Sequence, residues 1–295
     1  MRKTGDRVAM APGLRGIKFS RDWITRPVFA VLLGAVIIFA IFKDRPYLEL
    51  VTAFFALFAI REWHRLIGQG GRYVVEAVAN AAVICLALAA FLLWTDLFVP
   101  PLILIGGTVL VFAIAAARRN NPVWHAAGVL YLGLPALSII AIRDLAPHGH
   151  GEWVLIGLFL IVWAADTGAF LVGNVIGGPR MVPLLSPNKT WAGFIGGTVA
   201  AAVVEAIYLM VLHHGAVWRF ALWGAVFGGG MAIVAHLGDL FESWAKRCFH
   251  VKDSGSMIPG HGGVLDRVDS TLATLVALAV LVLALKLDPL FGAFS

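Results

Sequence analysis

Apolar residues run along this chain in long blocks, and polar residues are confined to the short gaps between them. A helix needs about 20 residues to cross a bilayer's hydrocarbon layer. Blocks of that size fall near residues 27–43, 46–66, 73–95, 100–118, 123–143, 152–176, 190–213, 217–244 and 267–287. The pattern predicts an all-α fold, a polytopic transmembrane helical bundle of about nine spans. Only the short Lys43-Asp44-Arg45 turn divides the first two blocks, and the last two run into charged ends. The ten-residue alternating strands of a membrane barrel do not occur. No period of 20–50 residues repeats. The chain divides into a basic N-terminal segment (1–27), N-terminal transmembrane helices (28–150) and a C-terminal transmembrane catalytic region (151–295).

Composition agrees with the pattern. The chain is 60% hydrophobic and 14% charged, against about 25% charged for a soluble domain. Cys85 and Cys248 lie in or beside apolar blocks, which suggests neither a disulfide framework nor a zinc cluster. The net charge of +6 does not point to nucleic acid, because the basic residues sit between spans, where they set topology and meet anionic lipid. No small-residue cleavage site follows the first apolar block, so no signal peptide is expected. With the N-terminus inside, the inner segments hold 18 Lys/Arg and the outer ones 5. That bias favours an inside N-terminus and, with nine spans, an outside C-terminus. The polar loops 177–189 and 245–266 then share the cytoplasmic face.

Charge is concentrated in one place. Between His236 and Ser270 lie Asp239, Glu242, Lys246, Arg247, Lys252, Asp253, Asp266, Arg267 and Asp269. Charges at or inside the hydrocarbon layer are costly and mark function by default. Glu242, Ser243 and Lys246 follow Asp239 at three, four and seven residues, near one face of a continuing helix. A carboxylate with a hydroxyl one turn away suits a hard cation such as Mg²⁺; a solvated helix end explains the same spacing. Lys252-Asp253-Ser254-Gly255 and Pro259-Gly260-His261-Gly262-Gly263 form a loop. Its glycines would let backbone N–H groups approach phosphate, although an ordinary connection also fits. Asp266, Asp269 and Ser270 share the first turn of the last span. The helix dipole accounts for one of these acids, less well for two with an Arg.

Upstream, Asp166 interrupts an apolar block and should meet a cation, a hydroxyl such as Thr167, or a cavity. A hydrogen-bonded packing role remains open. Ser186-Pro187-Asn188-Lys189-Thr190-Trp191 precedes the seventh span. Thr190 or Asn188 could cap that helix. Lys189 is electrostatically adverse there unless an anion sits beside it. Gly193, Gly196 and Gly197, and Gly228, Gly229 and Gly230, read as close-packing positions. Glu62, Glu76 and Glu205 have no assignable role, and His213 and His214 lie apart from the acidic stretch. Carboxylates, cations and a Gly-rich loop on one membrane face are the kit of metal-dependent transfer on a lipid phosphate.

The run Ser243-x-x-Lys246-Arg247-x4-Lys252-Asp253-x-Gly255-x2-Ile258-Pro259-x-His261-Gly262-Gly263-Val264-x-Asp266-Arg267-x-Asp269 resembles the signature of the phosphatidate cytidylyltransferases, or CDP-diacylglycerol synthases. Ala165–Phe170 and Ser186–Phe194 resemble that family too, so the likeness covers roughly residues 160–285. Asn188 stands where a Gly is common, and Gly177-Gly178-Pro179-Arg180 replaces a more basic connection. The resemblance implies cytidylyl transfer from CTP to phosphatidic acid, giving CDP-diacylglycerol and pyrophosphate. It implies Mg²⁺, with a second, monovalent cation such as K⁺. Asp239, Asp266 and Ser243 would be metal ligands, with Asp166 and Asp269 completing or orienting the shell. Lys189, Lys246, Arg247, Lys252 and Arg267 would bind phosphates, together with Ser186, Gly262 and Gly263. His261 would touch phosphate or leaving group. Asp239, Asp266, Lys246 and His261 would form the catalytic set. A homodimer in a bacterial-type inner membrane, its site facing the cytoplasm, is also implied. A cation-coupled transporter would use similar carboxylates but should show paired broken helices in two halves. A CTP-dependent lipid or polyprenol kinase is a nearer alternative. A CDP-alcohol transferase would carry a DG-x2-AR run, which is absent, and a dead relative should have lost the carboxylates, which are present.

Overall fold

A computed structural model describes residues 32, 34–68, 71–94, 98–213, 218–255, 263–290 and 293–294. Helix follows the apolar blocks. The described part of α1 covers residues 34–42. Then come α2 (Tyr47–Ile67), α3 (Val74–Trp94), α4 (Val99–Ala117), α5 (Pro122–Leu145) and α6 (Gly151–Ile176). A hairpin of β1 (Arg180–Val182) and β2 (Ser186–Thr190) leads into α7 (Trp191–Leu212) and α8 (Trp218–Cys248). Last are α9 (Leu265–Ala279), which runs on as a π-turn through Ala284, and a short antiparallel pair, β3 (Leu287–Asp288) and β4 (Ala293–Phe294).

Seven of these helices, α3 to α9 with its extension, are long and apolar enough to cross a membrane. The sequence pattern predicts about nine. The start of the first block lies outside the described residues. The second block is helical as α2, but it carries Glu49, Arg61, Glu62 and Arg65. Glu49 and Glu62 are buried, so α2 turns charge toward its neighbours where a simple span would not. Large apolar side chains such as Leu102, Val109, Val175, Val211 and Val226 stand exposed on the outer faces. Lipid tails suit that surface as well as a protein core does.

α6, α7, α8 and α9 pack in sequence, while α5 lies against α2, α3, α4, α6 and α9. Small residues set the closest approaches. A Cβ placed on Gly193 would stand 2.9 Å from the Ala169 carbonyl oxygen, and one on Gly197 2.5 Å from that of Ala165. On the other side of α7, Gly228 would meet the Ala201 carbonyl at 2.8 Å. The packing reading therefore holds for these glycines. Gly230 has open space around it.

Aromatic rings join α2, α5 and α8. Trp63 packs on Tyr131 at 4.8 Å between centroids, Tyr131 on Phe241 at 5.2 Å, and Trp124 on Trp244 at 5.3 Å. The Trp63 indole donates to the Trp124 carbonyl (3.1 Å), so a buried donor is satisfied where the helices meet. At the far end of α5, Arg143 reaches Glu49 (2.9 Å) and Asp144 (2.7 Å). Arg45 also bonds Asp144 and donates to the carbonyls of Phe91 and Leu92 at the end of α3. A cation there satisfies orphan carbonyls and suits the negative end of the helix dipole.

Candidate active site

α8 does not stop at the apolar block's edge. It continues to Cys248, so Asp239, Glu242, Ser243, Lys246 and Arg247 all ride on one helix. Lys246 meets Glu242 one turn back at 3.4 Å and Asp266 of α9 at 2.7 Å. Thr190 caps α7, its hydroxyl accepting from the Gly193 N–H at 3.0 Å. That settles the choice between Thr190 and Asn188. Lys189, adverse at that helix start, lies 2.5 Å from Asp239. The anion it requires is, in this arrangement, a carboxylate of α8.

Asp266 opens α9. It accepts from Lys246, from the Ser254 N–H (3.2 Å) and from the Gly263 N–H (3.3 Å). Asp269, one turn on, is buried and accepts from the Ser270 N–H at 2.8 Å. It lies within electrostatic reach of Asp239 and Glu242. Both Glu242 oxygens are buried without a hydrogen bond, Oε1 having only the ion pair to Lys246 at 3.4 Å. Asp166 of α6 is exposed. It lies in electrostatic reach of Asp239, Lys189 and Arg267.

Three segments thus converge: the β2–α7 junction, and the end of α8 with the start of α9, which follow it about 50 residues or more along the chain. Ser243 is half-buried on α8, Ser186 half-buried at the start of β2, and Lys252 exposed. Arg247 donates to the carbonyls of Leu185 (3.3 Å) and Val251 (2.9 Å), tying the hairpin to the loop after α8. Arg267 is exposed at the rim. His261 and Gly262 lie outside the described residues. A cavity of about 340 Å³ adjoins the site, lined by Arg65, Leu66, Val251, Asp253, Ser254 and Gly255.

The donor set suits a hard cation. Its oxygens come from carboxylates and a hydroxyl, and Glu242 is a buried acid with no hydrogen bond and only the 3.4 Å ion pair to Lys246. Among the described residues no three His, Cys, Asp or Glu side chains close on one metal position. That is compatible with Mg²⁺, which needs only one or two protein carboxylates and fills its octahedron with water and substrate phosphate.

Three neighbours have no role in the sequence reading, and a fourth, Glu242, is only placed there on the Asp239 face. Glu62 of α2 accepts from the Leu265 N–H (2.8 Å) and the Ser254 hydroxyl (3.4 Å). Tyr131 of α5 buries an unpartnered hydroxyl near Asp239, Glu242 and Asp269. His236 buries an unpartnered Nε2 beside Gly197, and Glu242 completes the group. For the two glutamates the signal existed, since a carboxylate in an apolar block is costly enough to need a reason. For Tyr131 and His236 no local signal sets them apart from packing residues.

Fold and site together define a polytopic helical membrane protein with an acid-rich, lysine-paired centre at one end of the bundle. The chain matches the Cytidylyltransferase family over residues 24–285 and belongs to it. It is similar to the phosphatidate cytidylyltransferase of Brucella suis biovar 1 (strain 1330), 43% identical over 150 residues, covering 51% of this chain and 53% of the relative. It is also similar to the phosphatidate cytidylyltransferase of Staphylococcus haemolyticus (strain JCSC1435), 38% identical over 156 residues, 52% of this chain and 56% of that protein. Each match thus spans about half the relative's length.

Proposed function

We propose that this protein transfers the cytidylyl group of CTP to phosphatidic acid, releasing pyrophosphate and leaving CDP-diacylglycerol in the bilayer. The observation that carries the reading is the pairing of Lys189 with Asp239 and Lys246 with Asp266 across three separate chain segments. The relatives are phosphatidate cytidylyltransferases, and that activity supplies the substrate class. An oxygen of the lipid phosphate forms a bond to the α-phosphorus of CTP, and the bond from that phosphorus to the bridging oxygen of pyrophosphate breaks. A phosphate monoester is mostly dianionic above about pH 6, so the nucleophile needs no general base. The difficulty is bringing two anions together, which makes positioned positive charge the catalytic requirement.

Asp239 and Asp266 would hold Mg²⁺, with Ser243 contributing a hydroxyl and Asp166 and Asp269 orienting the shell. Bound there, Mg²⁺ supplies Lewis-acid charge to phosphate oxygens. Lys189 and Lys246, engaged with carboxylates in the free protein, turn to the phosphates of CTP and lipid. Lys252, Arg267 and Ser186 would receive them, and the sequence resemblance assigns the same task to His261, Gly262 and Gly263. Arg247 acts chiefly by holding the hairpin against that loop. A monovalent cation such as K⁺ beside the Mg²⁺, and a homodimeric assembly, rest on the sequence resemblance alone. The charge bias of the loops favours a cytoplasmic site and an inside N-terminus.

Purified protein in detergent, given CTP, phosphatidic acid and Mg²⁺, should form CDP-diacylglycerol, and chelation should stop it. Folded, lipid-supplied protein that makes no product with CTP would sink the reading. Cys248, exposed at the end of α8, reports orientation. A membrane-impermeant thiol reagent should label it only in inverted vesicles.

A further inference from the structure

The catalytic stretch is anchored by a residue from the other half of the chain. Glu62 lies near the end of α2, only 2% exposed. Its Oε2 accepts from the Leu265 N–H, the first residue of α9, at 2.8 Å and from the Ser254 hydroxyl at 3.4 Å. These contacts reach 203 and 192 residues along the chain. One carboxylate oxygen therefore holds both arms of the loop that presents Asp266. Ser254 also donates its own N–H to Asp266 at 3.2 Å, and Gly263 donates from the other arm at 3.3 Å.

Two glycines make room for this carboxylate. A Cβ on Gly255 would stand 2.5 Å from Glu62 Oε1, and one on Gly263 would stand 2.2 Å from the Ser254 hydroxyl that Glu62 holds, 2.8 Å from Glu62 Oε2 and 3.0 Å from Asp266 Oδ2. Neither glycine needs a left-handed backbone, since neither has a positive φ. Close approach of Glu62 is what a side chain at these positions would prevent. The Gly-rich character of this loop therefore has a second physical reason beside backbone access to phosphate. An N–H at the first turn of a helix lacks an intrahelical partner, and a carboxylate there is favoured by the dipole. Trp63, the next residue of α2, locks the helix against Trp124 and Tyr131, so the anchor itself is held.

We propose that Glu62 is a positioning residue for the transfer reaction, fixing the start of α9 and the Ser254 arm so that Asp266 presents its carboxylate in the productive place. This rests on the cytidylyltransferase reading above for its kinetic readout, but not for its structural one. Glu62 touches neither reacting atom. It acts through Leu265, Ser254 and Asp266, as outer partners of metal and phosphate ligands do.

The test compares wild type, Glu62→Ala and Glu62→Gln in detergent by steady-state kinetics and by amide hydrogen exchange of peptides covering 251–255 and 263–268. Glu62→Ala should lower kcat by about 10- to 100-fold while KM for CTP stays near the wild-type value. Exchange should quicken in both peptides and stay unchanged in α3. Glu62→Gln keeps an acceptor oxygen for Leu265, so it should recover most of the rate and the protection. Wild-type kcat in Glu62→Ala would overturn the proposal. So would a rate loss with unchanged exchange, or a Gln variant as slow as Ala with its protection intact, since the charge itself would then be acting. Should Glu62→Ala fail to insert, Glu62→Gln decides: rate and protection retained support the anchor, rate lost with protection intact refutes it. If even wild type forms no product, the exchange arm still reads the hold of Glu62 on the loop, separately from the reaction.

Discussion

The two ends of the bundle both carry buried charge, and they use it differently. At the end where α2 begins and α5 finishes, Arg45 and Arg143 face Glu49 and Asp144. Two cations meet two anions, and Arg45 also satisfies the last carbonyls of α3. At the other end Asp166, Asp239, Glu242, Asp266 and Asp269 gather around Lys189, Lys246 and Arg267. Buried acid is in excess there: Lys246 serves both Glu242 and Asp266, and the buried Asp269 has no ion-pair cation among the described residues. A balanced network ties helices together. A surplus of buried acid is costly in the free protein and becomes favourable only with a cationic ligand. The same residue types therefore mark structure at one end and chemistry at the other, and the balance of charge separates them.

That contrast can be broken at either end. Arg143→Leu leaves Glu49 buried with only the longer Arg45 contact (3.6 Å). Removing one partner of a buried pair costs about 3–5 kcal/mol, so thermal stability should fall strongly. The kcat of the surviving folded fraction should stay unchanged; a large kcat loss would mean the far end talks to the site. Asp266→Asn and Asp239→Asn remove a charge from the surplus end. Turnover should drop by at least about 10²-fold, while the protein still inserts and melts near wild type or above it. Full activity in either variant would remove that residue from the catalytic set.

Smaller effects sharpen the picture. Lys189→Ala should raise KM for CTP by about tenfold, the size of one lost charged contact of 1.4 kcal/mol. It should also free Asp239, which a steeper dependence on Mg²⁺ concentration would reveal; an unchanged response to CTP would contradict the phosphate role. Thr190→Ala removes the cap of α7 and should cost about 1 kcal/mol of stability. Because Lys189 sits beside the cap, a modest rise in KM should accompany it, whereas a stability change alone would show that the cap does not steer the lysine.

Much of this was legible in one dimension. The apolar blocks predict α3 to α9 to within a few residues at most ends, because a bilayer demands continuous apolar length. The excess of charge between His236 and Ser270 locates the site, and Lys189 announces itself as a cation where a helix start disfavours one. α8 was legible past its apolar block too, since the spacing of Asp239, Glu242, Ser243 and Lys246 reads as a continuing helix. Its apolar block ends near residue 244, yet the helix runs to Cys248, because α9 supplies Asp266 as a partner for Lys246 where the bilayer no longer selects for apolar side chains.

Other features waited for the tertiary structure. Nothing near Glu62 in the chain reveals that its partners are Ser254 and Leu265. Tyr131 and His236 look like packing residues until the carboxylates assemble beside them. The β1–β2 hairpin is too short for a periodic signal, and it is held in place by Arg247 from α8 through Leu185. The sequence by itself determined the bundle, its family and the stretch that carries the chemistry, because hydrophobic length and local charge density are properties of neighbours in the chain. Tertiary structure decided which acid meets which cation, and that the N-terminal half reaches into the site through Glu62. Those pairings depend on contacts between helices up to 203 residues apart, and no local pattern encodes them.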